Sequence, residues 1–119
     1  MLTCLYRPVG QKELDLIVAT NYSAFPPRLF WQPIFYPVLN EAYAIHIAKF
    51  WNAKDAENGN AGYVTEFDVK SDYLSQFDIQ RVGGDENLEY WIPAEQLAEF
   101  NKNIVGPIRV THRFVGESS

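Results

Sequence analysis

Apolar and polar residues alternate in several short stretches of the chain, which is the pattern of strands with one buried face. Residues 2–7 are rich in Leu and Tyr and predict a strand that Pro8 and Gly10 close. The stretch GYVTEFDV at 62–69 alternates fully and predicts a half-buried strand. The same reasoning predicts further strands at 34–38, at 77–82, in ENLEYWIP at 86–93 and at 108–114.

Three segments predict helices instead. Residues 11–20 place Leu, Ile and Val on one face, and Asn40 can cap a helix in EAYAIHIAKFWN. Pro93 suits the first position of a third helix, which Gly106-Pro107 is expected to end. The predicted order is β-α-β-α-β-β-β-α-β, in which strands dominate. This order predicts an α+β fold of small sheets with two or three short helices packed on them.

The segment NYSAFPPRLFWQP at 21–33 is predicted to be a loop, because tandem prolines exclude a regular helix. Four aromatic residues lie in it: Tyr22, Phe25, Phe30 and Trp31. A solvated connection does not need so much aromatic surface. We therefore expect this loop to pack over another part of the molecule.

The length of 119 residues suits one domain, which we place at 1–115, followed by a frayed tail at 116–119. The net charge of −5 argues against sequence-independent binding of nucleic acid, which needs clustered Lys and Arg. An acidic chain can still form a local basic cleft if its arginines lie close together in the fold. The candidates for such a cleft are Arg7, Arg28, Arg81, Arg109 and Arg113.

The sequence offers no ligand set for a metal. Cys4 is the single cysteine and is expected to be a buried, inert thiol, while His46 and His112 lack partners at metal-ligand spacing. No basic segment followed by an apolar run opens the chain, and no apolar stretch reaches membrane-spanning length. These features predict a cytoplasmic protein without metal or membrane contact.

Three polar residues stand at positions where chemistry is plausible: Arg7 at the end of the first strand, Tyr36 within the second and Glu89 at the start of a late strand. An arginine fork binds phosphate oxygens, and an aromatic ring stacks on a base. A carboxylate can hold ribose hydroxyls and stabilise the positive charge that develops when a glycosidic bond breaks. The three residues therefore indicate a nucleotide ligand.

Structural roles are open for the same three residues. The charge of Arg7 is permanent, so a buried Arg7 needs a partner, either a phosphate-bearing ligand or a nearby acid such as Glu13. We expect the ligand, with Pro8 and Gly10 turning the chain away to make room for it. Glu89 can also be a solvated residue on an edge strand, and Tyr36 a core tyrosine.

The whole chain resembles a family of small bacterial proteins labelled "ADP-ribosylation/crystallin J-type". The matching blocks are LYRPVG, AFPPRL, QPIFYPVLN, EAYAIHIAKFWN, GYVTEFDV, VGG, EYWIPAEQLAEFN and IVGPI, which together cover most of residues 5–110. The short, strand-rich chain lacks the acidic metal-binding motifs of the crystallin-type ADP-ribosyl hydrolases. Neither hydrolase activity nor magnesium is therefore inferred.

The order of elements is similar to the ADP-ribosyltransferase fold, and this resemblance implies a site for NAD as substrate. Arg7 would hold its phosphates and ribose, with Arg28 as a further binding residue. Tyr36 would lie beside the nicotinamide, with a binding and catalytic role, and Glu89 would be the catalytic glutamate. The implied function is cleavage of the nicotinamide–ribose bond and transfer of ADP-ribose to an unknown protein or nucleic-acid acceptor.

Two departures bear on the acceptor. The second motif reads FYP where the arginine-first subclass usually has a Ser-Thr-Ser type of strand. Asn87 stands two residues before Glu89, where that family has Glu or Gln. These changes favour a nucleic-acid or small-molecule acceptor over protein arginine. Two alternatives stay open: a non-catalytic module on this fold that binds a nucleotide or a protein, and an enzyme acting on nucleic-acid ends, like the RNA 2′-phosphotransferases.

Overall fold

Strand β3 (Ala61–Lys70) is the centre of the fold because it is paired on both sides. In the computed structural model, which describes residues 1–56, 59–84 and 87–116, β3 lies between β1 (Leu2–Gly10) and β7 (Ile104–Val115). Both pairings are antiparallel, with Leu5 opposite Phe67 and Glu66 opposite Arg109. The alternation at 62–69 thus predicted the main strand correctly.

The remaining elements are short. Two small antiparallel sheets pair β2 with β6 and β4 with β5. Their bounds are Ile34–Phe35 for β2, Ile79–Arg81 for β4, Leu88–Tyr90 for β5 and Ile92–Pro93 for β6. The helices are α1 (Gln11–Ala19), α2 (Glu41–Phe50), α3 (Ser71–Leu74) and α4 (Leu97–Lys102), with 3₁₀ turns at Asn52–Lys54 and Ala94–Gln96. The α+β class is confirmed.

Val38 joins the large sheet to the β4–β5 hairpin. It forms one isolated antiparallel bridge with Tyr6 of β1 and another with Glu89 of β5. Its amide donates to the Tyr6 carbonyl at 2.7 Å, and its carbonyl accepts from the Tyr6 amide at 2.9 Å. The chain around Val38 therefore acts as a short strand that brings β1 and β5 to neighbouring positions.

Packed aromatic rings form the main core on one face of the large sheet. Phe25 of the predicted loop is buried and lies 5.1 Å from Phe35 and 4.8 Å from Phe67, measured between ring centroids. The loop thus packs over the core, as expected. Phe30 and Trp31 of the same loop do not: they are 95% and 62% exposed.

The first strand is longer than predicted. Pro8 and Gly10 do not end β1, and the pairing with β3 continues to Gly10 opposite Gly62. The Tyr6 amide points away from β3, toward Val38. Two residues later, the nitrogen of Pro8 lies on the same outer side, so its missing N–H removes no hydrogen bond to β3.

The last helix is shorter than predicted. It ends at Lys102, and Gly106-Pro107 lies inside β7 instead of ending a helix. Val105 pairs with Asp68 and Arg109 with Glu66, so the residues between them form a bulge opposite Phe67. A bulge accommodates both the positive φ of Gly106, 80°, and a proline without an N–H.

Gly116, the first residue of the predicted frayed tail, forms a hydrogen bond with the fold. The Gly116 amide donates to the Asn60 carbonyl at 2.7 Å, so this residue is held against the fold. Residues 117–119 lie outside the described residues, as do 57–58 of the predicted polar turn and 85–86 at the start of the predicted late strand.

Candidate functional site

Glu89 is a buried carboxylate with two hydrogen-bond donors. Its side chain is on β5, and the residue is 8% exposed. The Tyr43 hydroxyl donates to Oε2 at 3.2 Å, and the Trp91 indole donates from Nε1 to Oε1 at 2.6 Å. Glu89 is therefore not a solvated edge residue. Donors from α2 and from the segment after β5 hold its carboxylate in one orientation.

The Tyr43 hydroxyl keeps the proton that it donates to Glu89. Burial raises the pKa of the Tyr43 phenol, and the negative charge of Glu89 together with its hydrogen bond raises it further. The phenol is consequently protonated throughout the neutral range. Tyr43 keeps its hydrogen bond to Glu89 under physiological conditions.

Arg7 is buried and paired with Glu13 of α1. Its Nε donates to Glu13 Oε2 at 2.6 Å and its Nη2 to Oε1 at 2.9 Å, while Nη1 donates to the Tyr36 carbonyl at 3.3 Å. The guanidinium carbon lies 4.6 Å from the centroid of the Phe35 ring. Our expectation that a ligand phosphate is the partner of Arg7 is corrected here, because the chain itself supplies a carboxylate.

Arg28 has more donor capacity left than Arg7. It is half-buried, and its Nε donates to the Ile34 carbonyl at 3.1 Å. Within the described residues no carboxylate forms an ion pair with Arg28. The terminal nitrogens of its guanidinium group donate to no acceptor among these residues. Burial and the positive charge of Arg7 lower the pKa of Arg28. Among the two arginines, Arg28 is therefore the better anion ligand.

The four predicted site residues meet in one cavity of about 340 Å³, called the central cavity below. Its walls include Arg7, Arg28, Tyr36 and Glu89. Tyr36 is 38% exposed, so it is not a core tyrosine, and its ring stands edge-on to that of Trp91 at 6.3 Å. Residues far apart in the sequence are thus brought to a single concave surface of ligand-binding size.

Asn52 is a wall residue of the central cavity that the sequence did not indicate. Its Oδ1 is buried and accepts no hydrogen bond from the described residues. A buried acceptor without a donor is unfavourable, and such atoms are rare in native structures. Asn52 lies in what read as a polar turn, so no periodicity or motif distinguished it.

A second cavity of about 480 Å³, the loop cavity, adjoins the first. The two share Arg7, Pro8, Arg28 and Asn52 in their walls. The loop cavity adds Lys12 and Trp31, a cation and an exposed ring. Two arginines and Asn52 thus lie where the two cavities meet.

The other arginines are placed elsewhere. Arg109 donates to Glu66 at 2.9 Å and to Asp68 at 3.4 Å on the large sheet. Arg113 lies against a separate cavity, and Arg81 is on β4. Among the described residues the five arginines therefore do not converge, whereas Arg7 and Arg28 share two cavities.

Cys4 is exposed, which corrects the expectation of a buried thiol. It lies on the outer face of β1 because Leu5, its neighbour, points into the core. Partial burial and the nearby charges of Glu66 and Asp68 raise the pKa of Cys4, which opposes a nucleophilic role.

Across the described ranges, no three His, Cys, Asp or Glu side chains come together as metal ligands. None of the helices described is long and apolar enough to cross a membrane.

Comparison of the chain with protein-family models, with curated proteins and with solved structures gives no match in any of the three.

Proposed function

We propose that the chain binds NAD in the central and loop cavities and acts as an ADP-ribosyltransferase-like enzyme. It breaks the bond between nicotinamide and ribose and transfers ADP-ribose to an acceptor. One observation carries the proposal: Arg7, Arg28, Tyr36 and Glu89 line one cavity although they come from four separate places in the sequence. Each residue type matches one part of the substrate.

Glu89 has the role of the catalytic carboxylate. A carboxylate that faces the cavity can accept hydrogen bonds from ribose hydroxyls and stabilise positive charge on the sugar as the nicotinamide leaves. The donors from Tyr43 and Trp91 fix its position before the substrate binds. A fixed charge needs no reorganisation during the reaction, which is why the orientation matters.

The two arginines have different roles. Arg28 binds the diphosphate, since its terminal nitrogens have no acceptor among the described residues. Arg7 is a positioning residue, because it holds the Tyr36 carbonyl and the Glu13 carboxylate. Tyr36 supplies an aromatic surface beside the nicotinamide.

The joined cavities favour a dinucleotide over a smaller ligand. A ligand that crosses their common wall meets the positive charge of Arg28 and the polar residue Asn52. An anionic group with polar groups beside it suits this position. The diphosphate of NAD, with ribose hydroxyls on both sides, meets this requirement.

A second candidate is a module on the same scaffold that binds the nucleotide without cleaving it. The hydrogen bonds to Glu89 favour it, because both carboxylate oxygens already have a partner within the chain. A purely structural Glu89 explains those contacts as well. The two candidates differ in whether nicotinamide is released.

Calorimetric titration with NAD, with nicotinamide release followed in the same sample, tests the proposal. We expect binding that Arg28→Ala abolishes and release that Glu89→Gln abolishes while binding persists. Glu99→Gln on the exposed side of α4 is the matched control and should change neither. Binding without release, even with cell extract as the source of acceptor, would support the binding module. Absence of NAD binding by the folded protein would refute both.

A further inference from the structure

The 3₁₀ turn Asn52–Lys54 separates the proposed NAD site from a further cavity on its other side. Asn52 is a wall residue of the central cavity, whereas Ala53 and Lys54 are wall residues of a cavity of about 720 Å³. This basic cavity is also lined by Lys49, Phe50 and Arg113. No part of the proposed NAD chemistry uses these residues.

Two ammonium groups of the basic cavity lie near the same aromatic ring. The Nζ atoms of Lys49 and Lys54 lie 5.5 and 5.7 Å from the centroid of the Phe50 ring. The ring attracts both cations through its quadrupole. An anion bound in the cavity would offset the repulsion between these like charges.

The described part of the cavity wall contains no carboxylate that neutralises these charges. Lys49, Lys54 and Arg113 form no ion pair with a described Asp or Glu. On the same strand as Arg113, by contrast, Arg109 pairs with two carboxylates. Three cations are thus gathered in one cavity of a chain whose net charge is −5.

An exposed aromatic ring accompanies the cations. Phe50 is a wall residue of the basic cavity and is 47% exposed. Cations beside exposed rings form the surface that single-stranded nucleic acids use, because phosphates contact the cations while bases stack on the rings. A small inorganic anion would bind to the cations alone, without an aromatic stacking surface.

We propose that the basic cavity binds single-stranded nucleic acid, with Lys49, Lys54 and Arg113 contacting phosphates and Phe50 as a stacking surface. This binding is independent of NAD, since the arginines of the central cavity are not in its wall. It also gives the acidic protein a local basic surface that its composition alone did not predict.

Fluorescence anisotropy of a labelled oligothymidylate of about 12 nucleotides tests the proposal. Three neutralised phosphates give a salt exponent of about −2, so affinity should fall about 20-fold between about 50 and 200 mM salt. Lys54→Gln should reduce that fall to about sevenfold, because one phosphate contact is lost. The triple Gln variant of Lys49, Lys54 and Arg113 should abolish binding, and Phe50→Ala should weaken it about tenfold.

Lys102→Gln on exposed α4 removes the same charge elsewhere and should leave the affinity unchanged. Arg28→Ala should also leave it unchanged, which separates this proposal from the NAD site. Circular dichroism verifies that each variant is folded. The proposal is overturned if the wild type does not bind at low salt, if the triple variant binds as tightly as the wild type, or if inorganic phosphate at equal phosphate concentration displaces the oligonucleotide.

Discussion

Arg7 and Glu13 form a bidentate ion pair, with Nε–Oε2 and Nη2–Oε1 distances of 2.6 and 2.9 Å. The pair links β1 to the helix that follows it, and both side chains are largely buried. An arginine within an apolar strand thus has a partner six residues later in the sequence. This contact assigns Arg7 a structural role whatever ligand the central cavity binds.

Loss of Arg7 should therefore destabilise the fold. Arg7→Ala leaves the Glu13 carboxylate and the Tyr36 carbonyl without their donor, and we expect a loss of about 3 kcal/mol in the free energy of unfolding. Arg7→Lys should recover part of this free energy, since the positive charge remains but the bidentate contact with Glu13 is lost. Urea unfolding followed by tryptophan fluorescence measures both. Equal stability of Arg7→Ala and wild type would contradict the structural role.

The donors to Glu89 should affect the rate of nicotinamide release more than NAD binding. Tyr43→Phe removes the hydroxyl that donates to Oε2 and leaves the Trp91 donor in place. A hydrogen bond to a charged group contributes about 1.5–3 kcal/mol, so we expect release to slow by roughly tenfold or more. The dissociation constant for NAD should stay within about twofold of the wild-type value. Tyr73→Phe is the matched control, because Tyr73 donates to the Gln96 carbonyl and is not a wall residue of the central cavity.

Replacing Asn52 should increase stability and weaken ligand binding together. Asn52→Leu keeps a similar number of side-chain atoms and removes the buried Oδ1 that lacks a donor. We expect the free energy of unfolding to rise by about 1 kcal/mol. The affinity for NAD should fall because a wall residue shared by both cavities loses its polar side chain. Thermal unfolding and titration on the same samples provide both values, and a less stable variant would show that Oδ1 has a partner in solution.

Alkaline pH should destabilise the protein through Tyr6. Burial and a hydrogen bond with Cys4 raise the pKa of the Tyr6 phenol from its ordinary value near 10 to about 12. Between these values the unfolded chain loses this proton while the folded chain keeps it, so stability is full below pH 10 and declines toward pH 12. Urea midpoints across this range should fall less for Tyr6→Phe than for wild type. If the urea midpoints of the two proteins fall equally with pH, Tyr6 is not the cause of the alkaline destabilisation.

Gly62 should tolerate no side chain. A Cβ at this position would lie 2.1 Å from the Ala48 carbonyl oxygen, so α2 packs directly on the backbone of β3. Gly62→Ala must displace that helix, and we expect a loss of about 3 kcal/mol. Gly84→Ala is the control, because its Cβ would come no closer than 3.4 Å, to the side chain of Asn87. Comparable stability of the two variants would exclude the close contact.

Local signals in the sequence were sufficient to predict β3 and the helices α1 and α2, whereas the short helix α3 was not predicted. Asn40 does cap α2, since its side chain accepts from the amides of Ala42 and Tyr43 at 2.8 and 3.4 Å. The bulge that carries Gly106-Pro107 through β7 depends on the register against β3, and a pattern within one segment contains no register. For this reason the end of the last helix was placed incorrectly.

The composition of the central cavity was predicted in part. Arg7, Tyr36 and Glu89 stood out because a charge or hydroxyl interrupts an apolar stretch, and all three do line it. The partner of Arg7 depended on how α1 folds back on β1, which favoured Glu13 over a ligand. Asn52 gave no signal, because an unsatisfied acceptor exists only once the surrounding chain has folded.

The double bridge at Val38 has a consequence for how the cavity can change over evolutionary time. Arg7 follows Tyr6, and Glu89 lies between Leu88 and Tyr90, whose backbones bond to Leu39 and Pro37 at 3.0 and 2.9 Å. The distance between the cavity wall that contains Arg7 and the wall that contains Glu89 is thus determined by main-chain hydrogen bonds. These bonds do not depend on side-chain identity. Substitutions of the cavity's side chains can therefore change its specificity while these main-chain hydrogen bonds keep its walls in place.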